Sequence, residues 1–108
     1  MLYLPQTFRL FTQQWLIRAA RPGELPEDLG QCRPDQLELV INHAQADETM
    51  CHTLLHEVVH SWEQKLLLNL TEQQVDLLSL ALLDFIRNNP DFFTQFQTIE
   101  EDNDDTAE

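Results

Sequence analysis

Bases are few in this chain: six Lys and Arg stand against nineteen Asp and Glu, a formal charge of −13. A surface this short of cations repels nucleic-acid phosphate and anionic lipid, so direct binding to either is not expected. Cysteine is scarce too. Cys32 and Cys51 form no short pair of the zinc-knuckle or redox kind, and small secreted scaffolds usually carry more. Both are expected to be reduced thiols in a cytoplasmic protein. No run reaches the roughly eighteen apolar residues that a membrane helix needs, and the greasiest segment, LLSLALLDFI, is broken by Asp84. MLYLPQTFRLF meets Arg9 before it builds the apolar core of a signal peptide. The single tyrosine, Tyr3, lies far from every histidine.

Apolar residues are plentiful, at 43% of 108 residues. That supports one domain with a modest core, expected over residues 1–99. Residues 100–108, EEDNDDTAE, carry six acids, no base and nothing apolar larger than Ala107. They read as a disordered, solvated acidic tail.

The first half is strand-like and broken by turns. FRLFTQQWLIRA reads as one or two strands, with a short helix at QQWLIRAA as the alternative. PGELPEDLG, residues 22–30, holds both glycines and two prolines and is a loop. QLELVIN, residues 36–42, sets Leu37, Leu39 and Ile41 on one face, a half-buried strand in which Val40 is the imperfect position.

The second half is helical. Apolar residues at 54, 55, 58, 59, 62 and 66 make a broad stripe over about Asp47 to Leu68, which places Trp62 and Leu66 in the core. Thr71 with Gln74 forms a capping box, and the next helix runs from Glu72 to about Asn88, stopped by Asn89-Pro90. DFFTQFQTI adds a short turn whose aromatics pack back. The expected class is α+β, a small antiparallel sheet against two antiparallel helices.

Three of the four histidines fall in CHTLLHEVVHSWEQ, residues 51–64. His56, Glu57 and His60 spell HExxH. Residues four apart share one side of a helix, so both imidazoles can face one metal ion, with Glu57 beside it to take a proton from water. A catalytic zinc needs a third protein ligand. No histidine follows His60, so it is an acid, or His52 or His43 from upstream. Glu63 crowds the same helix and is better suited to orient a ligand. Glu72 and Asp76 stand together at the start of the second helix, which an αα-hairpin folds back. His52 and His43 otherwise read as partly exposed residues, and Asp84 and Arg87 as ordinary surface positions.

These segments resemble the small zincin-type metallopeptidases of bacteria, phages and prophages. Members join TLLHE..H to a helix that begins L-[ST]-E-x-x-V-D and stops near RDNP. Here those stand as TLLHEVVH at 53–60, LTEQQVD at 70–76 and RNNP at 87–90. The lead-in is matched by LGQC at 29–32 and LELVI at 37–41, so the likeness covers most of residues 25–93. It implies a minimal zincin-like fold, with a strand running over the HExxH helix and a second helix behind it. It also implies a Zn2+ cofactor held by His56, His60 and Glu72, with Asp76 as supporting acid and Glu57 catalytic.

The expected function is hydrolysis of a peptide or protein substrate, laid antiparallel along the strand at 36–42. Two rivals stand beside it. One is a metal-stabilised interaction protein whose site is closed by Glu63, Asp76 or His52. The other is an acidic decoy that mimics DNA charge to block a host protein.

Overall fold

The computed structural model describes residues 4–98. The acidic segment expected to be a tail at 100–108 lies outside them. Four strands come first: β1 (Thr7–Leu10), β2 (Gln13–Ala19), β3 (Gly30–Arg33) and β4 (Glu38–Ile41). Three helices follow, α1 (Asp47–Leu66), α2 (Glu72–Asn88) and α3 (Phe92–Thr98). This is the α+β layout expected: a small sheet packed on the HExxH helix, with a second helix folded back along it.

QQWLIRA is a strand, since Trp15 and Ile17 are buried while Gln14 and Leu16 are exposed, the period of two that a one-sided core imposes. The sheet order is β1-β2-β4-β3. The β1–β2 and β3–β4 pairs are antiparallel, but β2–β4 is parallel. The sheet is therefore mixed and not wholly antiparallel, because the loop after β2 carries the chain past the next lane. It enters at the far edge as β3 and returns inside as β4.

β4, like β2, is an interior strand. Leu39, Val40 and Ile41 are all fully buried, which is why Val40 breaks the alternation: both faces of this strand are covered. Leu39 and Ile41 join Leu10, Trp15, Ile17 and Met50 in the core cluster beneath α1. On the other face Arg18 bonds Glu24 at 2.6 Å and Glu38 at 3.2 Å, while Arg33 reaches Glu24 at 2.9 Å. These four charges clasp the loop after β2 to the back of the sheet.

α1 ends at Leu67, which takes the left-handed conformation (φ 57°). Leu68 N–H closes onto Glu63 C=O at 2.9 Å, the capping turn usually given to glycine. Thr71 and Gln74 then exchange the two bonds of the capping box and start α2. At the opposite end Arg87 forks onto Glu48, at 2.7 and 2.9 Å. The end of α2 is thus pinned to the start of α1, and the helices lie antiparallel.

The buried line of α1 runs through Met50, Thr53, Glu57 and Ser61. Trp62 is 37% and Leu66 52% exposed, so neither belongs to the core. The earlier part of the apolar stripe does face inward, with Val59 buried and Leu54 and Val58 packed on the core cluster, while β3 covers the neighbouring polar line of Thr53 and Glu57. The aromatics of α3, expected to pack back on the body, reach only Phe85 of α2, with the rings of Phe92 and Phe93 edge-on to it at 4.9 and 5.8 Å, and stay exposed.

Candidate metal centre

Helical spacing puts His52, His56 and His60 on one side of α1, with the His56 and His60 ring centroids 4.9 Å apart. The tight turn after Leu66 brings the first residue of α2 against them. Glu72 Oε1 lies 3.2 Å from His56 Nε2, and Glu72 Oε2 lies 3.1 Å from His60 Nε2. One donor atom from each of the three residues lies within 4.8 Å of the others.

The other ring nitrogens are also engaged. His56 Nδ1 is 3.3 Å from Asp76 Oδ1, and His60 Nδ1 is 3.0 Å from Glu63 Oε1. A carboxylate on Nδ1 favours the tautomer that carries its proton there. Both Nε2 lone pairs then aim at the Glu72 carboxylate, an acceptor facing two acceptors. One cation placed among the three would satisfy all of these acceptors at once. Ligands about 2.0 Å from a tetrahedral zinc stand about 3.3 Å from one another, close to the 3.1 and 3.2 Å separations here. The donor set and its acid-backed histidines fit zinc.

A second trio, His52, His56 and Asp76, also clusters. Asp76 Oδ1 lies 3.0 Å from His52 Nε2 and 3.3 Å from His56 Nδ1, and Ser79 Oγ meets the same His52 nitrogen at 2.9 Å. One carboxylate oxygen accepting from two rings is already satisfied by hydrogen bonds, so this cluster reads as support for His56.

Glu57 is buried beneath the start of β3. A Cβ on Gly30 would come within 3.2 Å of Glu57 Oε2 and 2.7 Å of Thr53 Cγ2, so the absence of a side chain there is what leaves room for the carboxylate. Burial pushes the Glu57 carboxyl above its ordinary range, against the opposing pull of His56 and His60. Cys32, also facing this space, is pushed up to about 12 by burial and by Glu57 and Glu63. Glu63 is held below the usual carboxylate range by the Leu70 backbone N–H and by His60.

A cleft of about 620 Å³ runs between β3 and the two helices, lined by His52, His56, Glu57, His60, Glu63, Glu72 and Asp76 and by Cys32. Its described lining includes no Lys or Arg. β3 forms its rim as an edge strand. Asn42 N–H bonds Leu29 C=O at 2.9 Å, and antiparallel alternation then turns the N–H and C=O of Gly30 and Cys32 outward, away from β4. The strand at 36–42, expected to receive a peptide, cannot do so: β4 is paired on both sides. The edge beside the cleft belongs to β3.

His56, His60 and Glu72 are brought together, with Asp76, Glu63 and His52 around them. His43 is exposed and lies outside the cluster. Sequence reasoning missed Gly30, Ser79 and Gln45, whose amide joins Leu29 C=O to the Thr53 hydroxyl. Only Gly30 left a signal, as one of two glycines placed just ahead of a strand. No protein-family model, curated protein or solved structure matches the chain. The structure by itself contains a helix-borne histidine–glutamate site able to hold a metal ion, in a minimal zincin-like frame.

Proposed function

We propose that the protein is a zinc-dependent metallopeptidase of the small zincin type. The observation that carries the reading is the pair of Nε2 atoms converging on Glu72 while acids stand beside both Nδ1 atoms. Zinc held by His56, His60 and Glu72 would supply Lewis acidity, polarising a carbonyl and lowering the pKa of water. Glu57, buried beside the ligands with its proton affinity raised, is suited to accept a proton from water and return it to the leaving amine. Gly30 and Cys32 offer their outward backbone groups to an extended peptide at the rim of the cleft. No helix among the described residues is long and apolar enough to cross a membrane, and the substrate is proposed to be a peptide or protein.

A second reading, a metal-stabilised interaction protein, needs a fourth protein ligand to close the site, for which Glu63, Asp76 and His52 are the acids and histidine that stand around His56 and His60. Metal analysis after zinc loading, combined with a peptide-hydrolysis assay, separates the two. The expected result is about one zinc per chain in the parent and in Glu57→Gln, and none in His56→Ala. Hydrolysis should fall by about 10²–10⁴-fold in Glu57→Gln. No zinc in the parent, or unchanged zinc in His56→Ala, overturns the site. Zinc without hydrolysis leaves the interaction protein.

A further inference from the structure

α2 is apolar on two sides and covered on one. Val75 and Ser79, fully buried, face α1. Leu77, Leu78, Ala81 and Phe85 recur at three- and four-residue steps on the other side, and all four are exposed. α3 extends this face with three more phenylalanines. Leu77 is 56% exposed, Leu78 49%, Phe85 37%, Phe92 45%, Phe93 39% and Phe96 61%. A whole aromatic side chain presents about 150–250 Å² and a leucine somewhat less, so on the order of 500 Å² of apolar side chain lies open in one patch. That is at the upper end of what an isolated chain carries.

We propose that a second copy of this chain covers the face, α2 packing antiparallel on its twin about Ala81. Two such patches together remove about 1,000 Å², the lower bound for a specific interface, so the dimer is reversible. The face suits a self-pairing. Its central residue is the smallest, which lets two helix backbones approach. A two-fold axis at Ala81 sets Leu77 of one copy opposite Phe85 of the other, Gln74 opposite Asn88, and Leu78 opposite Asp84, an acid whose carboxylate accepts from the Asn88 amide of its own chain at 2.8 Å. This pairing does not depend on the metal reading, since none of its residues belongs to the centre.

Sedimentation equilibrium on the full chain tests it, over a range of protein and salt concentrations. The apparent mass should rise from one chain toward two as concentration increases. Salt should strengthen the association, because each copy carries −13 and the screening length falls from about 10 Å at 0.1 M to about 3 Å at 1 M salt. Leu78→Glu should weaken association at least tenfold while circular dichroism stays unchanged. Phe11→Asn, at an exposed residue of the β1–β2 turn, should leave it intact. A parent that stays at one chain's mass throughout overturns the proposal and points to a different protein as the cover. Loss of association in Phe11→Asn but not Leu78→Glu also overturns it, by moving the interface elsewhere.

Discussion

Glu63 holds His60 from one turn further along the same helix, its Oε1 3.0 Å from Nδ1. Its other oxygen accepts the Leu70 backbone N–H at 3.0 Å. One side chain therefore sets the ring of a candidate ligand and the start of the segment that delivers Glu72. Asp76 does the comparable work on His56.

Removing these acids should weaken zinc without abolishing it. Glu63→Gln and Asp76→Asn are each expected to lower zinc affinity by about 10–100-fold, the usual cost of losing a carboxylate behind a histidine ligand. Competition against a chromogenic chelator measures this. Glu63→Gln should also lower helix stability modestly, since its oxygen caps the interhelical turn. Wild-type affinity in both variants would leave the acids without a role at the metal.

Gly30→Ala should destabilise the fold by about 1–3 kcal/mol, the range for overpacking a filled site. Its Cβ would stand 2.7 Å from Thr53 Cγ2. Thr53→Ser deletes that methyl and keeps the hydroxyl that bonds Gln45. The double variant should regain much of the loss, and urea unfolding of the four species closes the cycle. A purely additive result would mean the clash is relieved elsewhere.

Stability should fall on acidification partly through Glu24. The Arg18 guanidinium and the Arg21 N–H hold its carboxyl well below the ordinary 4.5. Above that value Glu24 is ionised in both folded and unfolded chains, and its full stabilisation is present. As pH drops below it, the unfolded chain takes up the proton first, and stability drains away toward the depressed folded value. Denaturant midpoints between pH 6 and 3 should therefore decline less steeply in Glu24→Gln than in the parent. Equal slopes would assign the acid sensitivity to other carboxylates.

Much of the site was legible because it is local. HExxH needs only helical periodicity, and Thr71 with Gln74 announces the start of α2 within one turn. Glu72 was reachable from the hairpin those two facts imply. What escaped depends on long-range pairing. Nothing in LELVI says that it lies inside the sheet with β3 outside it, since strand order is set by where the loop after β2 lands. Trp62 was misplaced for a related reason. A hydrophobic stripe names the face that prefers burial, and it held for Val59, Leu54 and Val58, but it does not say where along the helix the cover stops.

The centre draws all its candidate donors from the stretch between His52 and Asp76, two helices joined by a turn and fastened at the far end by Arg87 and Glu48. An ion bound there would close only a short loop, so it would staple the hairpin and leave the sheet to stand on its own packing. Stripping it should loosen Glu72 and the turn before it, and the core around Leu39 and Ile41 should barely register the loss.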